Sequence, residues 1–299
     1  MSELPALSLA AVPSRRARTI ELAKEIERRG FAGIYCPSLG DALGLCLSMA
    51  HETSTIEFGT SIVNMYARNV ADYAATASYI HEISEGRFRF GIGVSHAPAN
   101  ARLGVNPGKP LSDIREFVEG LRGQDRIVLP PIVLAAMRDK MVATAGEIGE
   151  GMVLANAARS AFPGTLERMP TPASGDDFFV GNMIPTCISD DREAAAAVNR
   201  RTLQFYVTLP NYRNYWKQEG YREEMEAVEA AIETGDRKSI PGLLTDEWLS
   251  DVTLYGSADE VREGLQAWYD AGLTTPILVP SSAAGGQFEA FEEVFALFD

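Results

Sequence analysis

The sequence predicts an α/β fold: a (β/α)8 TIM barrel with a helical insertion between strands 7 and 8. Three observations predict it. Short apolar runs alternate with segments of helical spacing along nearly the whole chain. The strand-like runs are apolar on both faces rather than half polar, as parallel strands covered by helices must be. The 299 residues are also enough for eight strand–helix units. A doubly wound open sheet obeys the same alternation, so periodicity favours the barrel without closing the other topology.

Ala6–Val12 reads as the first strand, followed by a helix over Arg18–Arg29 with Gly30 as its stop. Gly33–Pro37 is the second strand, and Asp41 can cap a helix that runs to about Glu52. Ile56–Asn64 is the third strand, with a helix over Val70–Ile83; Arg87–Val94 is the fourth, with a helix over Ser112–Leu121. Pro131–Met137, a helix over Lys140–Ile148, and Gly151–Asn156 supply the fifth strand, its helix and the sixth strand. Phe178–Ile188 is the seventh strand, read as broken or shifted at Pro185. Helical runs at Asp190–Tyr206, Tyr212–Thr234 and Asp246–Ser250 form the insertion, about residues 190–255 of a single domain spanning 1–299. Its Tyr206, Tyr212, Tyr215, Trp216 and Tyr221 read as core or oligomer packing, with a substrate lid as the alternative. Ser257 and Glu260 have capping-box spacing for a helix to Ala271, before the eighth strand Pro276–Pro280 and a helix over Gln287–Phe298.

Composition narrows the function. A net charge of −14 disfavours nucleic acid and anionic membrane, which demand clustered Lys and Arg. No apolar run reaches a membrane span, and the opening Met-Ser-Glu-Leu-Pro lacks the layout of a secretion signal, so a cytoplasmic, reduced location is expected. Cys36, Cys46 and Cys187 are scattered, and His51, His81 and His96 are isolated, so no metal site is expected. His51 and His81 read as surface or packing residues.

The most informative stretch is Ser84-Glu85-Gly86-Arg87-Phe88-Arg89-Phe90-Gly91-Ile92-Gly93-Val94-Ser95-His96-Ala97-Pro98. A Gly-Arg turn leads into a strand whose two glycines allow close approach to its backbone, and the strand ends in a small-residue loop with one histidine. With Gly59–Asn69, Pro131–Ala136, Ala145–Gly151 and Gly256–Val261, in this order and spacing, the chain resembles the luciferase-like flavin and deazaflavin oxidoreductases. The resemblance covers about Leu7 to Phe298 and lies nearest the F420-dependent, methylenetetrahydromethanopterin reductase-like branch. It implies a TIM barrel that holds F420, or alternatively FMN, at the carboxyl ends of its strands. It also implies a bulge in the third strand with a non-proline cis bond at Ser61-Ile62, and a homodimer.

The same matching makes Ser61, Ile62, Asn64, Ser95, Asn100, Ala136, Met137 and Arg138 cofactor-binding candidates, with Arg138 either a source of positive charge for a phosphate or a first-turn surface residue. His96 is the catalytic candidate of the fourth-strand loop. Ser38 is the second, standing where relatives carry an acid or a histidine; a serine cannot serve as a neutral-pH proton donor in their manner. Met137-Arg138-Asp139 likewise stands where relatives often show glycine. The short Leu121–Pro131 connection is read as widening the substrate mouth. The implied activity is hydride transfer between F420 and a small organic substrate. The alternatives are an FMN-dependent monooxygenase and a barrel without catalysis.

Overall fold

The computed structural model describes residues 4–172 and 175–299, so the first three residues of the opening read above for a signal lie outside it. In chain order the elements begin with β1 (Ala6–Ser8), α1 (Arg16–Arg28), β2 (Gly33–Cys36), α2 (Ala42–Glu52), β3 (Glu57–Thr60), β4 (Val63–Asn64), α3 (Val70–Ile83) and β5 (Phe88–Gly93). Next come α4 (Ala97–Arg102), α5 (Pro110–Arg122), β6 (Ile132–Ala135), α6 (Asp139–Ile148), β7 (Gly151–Ala155), α7 (Phe162–Arg168) and β8 (Phe179–Ile188). The insertion holds α8 (Arg192–Val207), α9 (Pro210–Gln218), α10 (Arg222–Glu233), α11 (Ile240–Leu243) and α12 (Asp246–Val252). The chain ends with β9 (Leu254–Gly256), α13 (Ala258–Asp270), β10 (Thr275–Ser281) and α14 (Gln287–Phe298).

The fold is the (β/α)8 barrel, not the doubly wound sheet. From β1 to β7 the strands neighbour one another in chain order, without the reversal that marks a doubly wound topology. β3 and β4 are two halves of the third barrel strand, both parallel to β5. Chain contacts divide the molecule into two units: Met1–Leu154 with Arg168–Gly181, and Ala155–Glu167 with Asn182–Asp299.

In the first unit the side-chain alternation of β5 sorts the layers. Phe88 and Phe90 face the helices, with Phe88 5.7 Å from Phe58 and Phe90 5.7 Å from Tyr73 on α3. Arg89, Gly91 and Gly93 face the other way. There Arg89 pairs with Glu57 at 2.7 Å and lies 5.3 Å over Phe179, whose ring is 5.1 Å from Tyr35. The Gly-Arg turn is a structural knot at the amino ends of these strands. Arg87 donates to the carbonyls of Ser84, Thr53, Ile56 and Ala50 and to the Thr53 hydroxyl. Beside it, the Glu27 carboxylate takes the N–H groups of Ser54, Thr55 and Ile56. Burial pushes that carboxyl up, yet the three N–H bonds outweigh it and hold the group below its ordinary value.

The second unit packs the insertion against its own strands. Tyr212, Tyr215 and Trp216 are buried, and Trp216 lies 5.0 Å from Trp248 in an edge-on pair. These three side chains pack in the interior of the unit. Asn199 on α8 donates to the Leu254 and Pro185 carbonyls, between β8 and β9.

Several boundaries differ from the sequence reading. β8 runs unbroken through Pro185, because proline's fixed φ suits an extended chain and Asn199 takes its carbonyl. β1 stops at Ser8, α5 starts two residues earlier at Pro110, and α4 and the short β9 are additional elements. The Leu121–Pro131 connection leads from α5 into the amino end of β6, opposite the strands' carboxyl ends, so its brevity cannot widen a mouth there. Asp41 does cap α2 by accepting from Gly44, and Ser257 with Glu260 forms the expected capping box.

Candidate functional site

The two glycines of β5 answer the question of what approaches so closely. A Cβ on Gly91 would lie 1.7 Å from the Thr60 carbonyl oxygen, and one on Gly93 would meet Ala135 at 2.8 Å and Ile62 at 3.1 Å. The visitor is the protein's own third strand, whose main chain bears down on the fourth between β3 and β4. The Thr60 hydroxyl seals the contact by donating to the Gly91 carbonyl at 2.7 Å. At this bulge the Ser61-Ile62 bond is cis, where the resemblance puts it. The Ser61 N–H donates to the Cys36 carbonyl at the end of β2 at 2.7 Å. The Ser61 hydroxyl is different. It is buried and has no hydrogen-bond partner among the described residues.

Asn64 and Asn100 are brought together, but first for each other. The Asn64 amide donates to Asn100 Oδ1 at 2.8 Å, and the Asn100 amide donates to the Val94 carbonyl at 3.0 Å. Asn64 Oδ1 accepts from the Tyr66 N–H, and its carbonyl takes the Tyr73 hydroxyl at 2.6 Å. Burial, ahead of the opposed charges of Arg68 and Asp72, pushes the Tyr73 phenol up to about 12, so it stays a donor. This chain of bonds fixes the loop after β5 to the bulge. Ser95 on that loop holds a left-handed backbone at φ 58°. His96 is half-buried and opens α4, its carbonyl accepting the N–H groups of Ala99 and Asn100. Burial pushes its imidazole below its ordinary value, so it is neutral at pH 7.

On the next strand Ala136 is buried with its N–H on the Val153 carbonyl, Met137 is half-buried, and Arg138 is exposed at the N-cap of α6. Ser38 is exposed in the loop that joins β2 to α2. Tyr66 adds a bridge that the sequence does not signal: its hydroxyl donates to Asp113 at 2.5 Å, and Asp113 also takes the Gly108 N–H. An isolated tyrosine after a strand carries no pattern that would reveal this bridge. Among the described residues no group of three or more His, Cys, Asp or Glu is placed to hold a metal, and no helix is long and apolar enough to cross a membrane.

Residues 4–126 and 121–275 match the family described as luciferase-like monooxygenase. The chain belongs to that family. A putative coenzyme F420-dependent oxidoreductase of Mycobacterium tuberculosis is 24% identical, over 88% of this chain and 90% of its own. The coenzyme F420-dependent tetrahydromethanopterin reductase from Methanopyrus kandleri shares the fold, with a TM-score of 0.77, 20% identity and 97% of each chain covered. The oxygenating constituent of 3,6-diketocamphane monooxygenase from Pseudomonas putida, solved with FMN, has a TM-score of 0.60 at 17% identity, with 92% of each chain covered.

Proposed function

We propose that the protein is an oxidoreductase that transfers a hydride between coenzyme F420 and a small organic substrate. The observation that carries the reading is the Ser61 hydroxyl, buried without a partner on the bulge that faces the carboxyl ends of the strands. A buried hydroxyl left unmatched costs roughly 1–3 kcal/mol, so it fits a site that a ligand's polar edge completes. The F420-dependent relatives support the same reading.

When bound, F420 supplies the two-electron redox chemistry, and the protein supplies placement and electrostatics. Ser61 and the main chain at Ile62 would hold the ring's polar edge. Asn64 and Asn100 are largely committed to each other, so they act chiefly by fixing the loop that bears Ser95 and His96. A neutral His96 can donate or accept a hydrogen bond toward substrate or ring, but does not store a proton at pH 7. Ala136, Met137 and Arg138 would face the phosphate, with the guanidinium as the cation. Ser38 offers a hydroxyl that orients a substrate rather than ionising. A homodimer in the cytoplasm completes the proposal.

Titrating the purified protein with F420 and with FMN tests it, following the quenching of cofactor fluorescence. F420 binding tighter than FMN is the expected result. Tighter FMN binding would replace the reading with the flavin monooxygenase, and binding of neither would leave the barrel without this chemistry.

A further inference from the structure

In the second unit the loop Asn156–Ser160 follows the carboxyl end of β7, the end at which barrels of this kind carry their ligands. Each of its backbone N–H groups is occupied. The Asn156 N–H donates to the Met183 carbonyl at 3.0 Å, Ala157 to Asn182 Oδ1 at 3.3 Å, and Ala158 to the Tyr215 hydroxyl at 3.0 Å. Arg159 donates to the Asp251 carbonyl at 2.9 Å, and Ser160 to Asp251 Oδ1 at 2.9 Å. Trp216 Nε1 donates to the Asn156 carbonyl at 3.1 Å. The insertion thus clamps the loop in one conformation, and no backbone N–H remains for a ligand.

Three side-chain groups remain. Asn156 is 3% exposed, in a left-handed backbone at φ 59°, and its amide nitrogen is buried with no partner among the described residues. Asn182, whose carbonyl holds Ala157, also has a buried amide nitrogen without a partner. Arg159, three residues beyond Asn156, is half-buried, and among the described residues its guanidinium meets no carboxylate. Elsewhere in the same unit arginines do find acids: Arg192 with Glu260, Arg200 with Asp246, and Arg213 with Glu229. The acid beside this loop, Asp251, is satisfied instead by Ser160 and by the Tyr221 hydroxyl at 2.8 Å. Unmatched amide donors and an uncompensated guanidinium on one rigid loop share one complement. A neutral carbonyl would satisfy the amide and leave the charge; an oxyanion satisfies both.

We propose that Asn156 and Arg159 bind an oxyanion, a phosphate or a carboxylate. The test uses inorganic phosphate and acetate as probes, titrated calorimetrically into the full chain with and without saturating F420 or FMN, so that a cofactor's own phosphate site is filled in one arm. The wild type is expected to bind a probe in both arms. Phosphate preferred over acetate identifies a phosphorylated ligand, and the reverse a carboxylate. Arg159→Gln, at a half-exposed position, and the isosteric Asn156→Asp are each expected to weaken the probe at least about tenfold, the loss of one charge-assisted hydrogen bond. Arg159→Lys should keep part of the affinity. A wild type that binds neither probe, or an Arg159→Gln protein that binds as the wild type does, overturns the proposal. Failure of F420 and FMN to bind, with the probe affinities as expected, would overturn the cofactor reading alone.

Discussion

Arg87 and Ser61 lie at opposite ends of the same strands and handle burial in opposite ways. Around Arg87 the donors have carbonyl and hydroxyl partners, and its guanidinium stacks 5.2 Å from the Phe58 ring. At Ser61 a hydroxyl is equally removed from water and has none. The first arrangement joins α2, α3 and β3 and stabilises the fold. The second does nothing for the fold, which is what a site completed by a ligand looks like. The arginine of the Gly-Arg-Phe run, the most recognisable part of the chain, is therefore a structural residue, and the unmatched hydroxyl sits on the less conspicuous strand.

Substitutions can break or sharpen this contrast. The largest effect is expected from Gly91→Ala, whose methyl group would enter the Thr60 carbonyl; it should cost at least about 3 kcal/mol in chemical denaturation, or prevent folding. Next comes Arg87→Ala, which abandons the carbonyls of Ala50, Thr53, Ile56 and Ser84. A loss of about 3 kcal/mol is expected in urea melts, with cofactor affinity unchanged in the protein that remains folded. Ser61→Ala should behave in reverse. Its stability is expected to stay within about 1 kcal/mol of the wild type, or to rise, while the affinity for F420 falls about tenfold. An alanine protein that loses stability but keeps its affinity would make Ser61 structural and erase the contrast.

The smallest effect concerns His96. Its folded-state value lies below the ordinary 6.5, so the unfolded chain binds the proton more readily. Stability from this group is complete above about pH 6.5 and is lost as pH falls through the interval down to the folded value. His96→Gln should flatten that slope in melts recorded between pH 5 and pH 7, and should leave stability at pH 8 nearly unchanged.

Much of this was legible from residue order. Alternating periods gave the strand–helix rhythm, and Asp41, Ser257 and Glu260 announced their helix starts, because caps and periods are local properties of the chain. The position of the bulge also followed, through resemblance at Ser61-Ile62. Other features were not legible. The glycines signalled a close approach, but only the packing of β3 on β5 revealed that the partner is Thr60. That Asn64 and Asn100 bond to each other across 36 positions was visible only in the fold. The loop at Asn156 gave no sequence signal at all, since its meaning depends on Met183, Asn182, Tyr215 and Asp251 consuming its backbone from far along the chain.

The sequence by itself determined the kind of elements, their order and the family to which they belong, since hydrophobic period and end signals act over a few residues. Tertiary structure alone decided which buried polar groups are matched and which are left waiting. That balance depends on contacts between residues tens of positions apart, and a hydrogen bond forms or fails over a few tenths of an ångström that no pattern in the chain encodes.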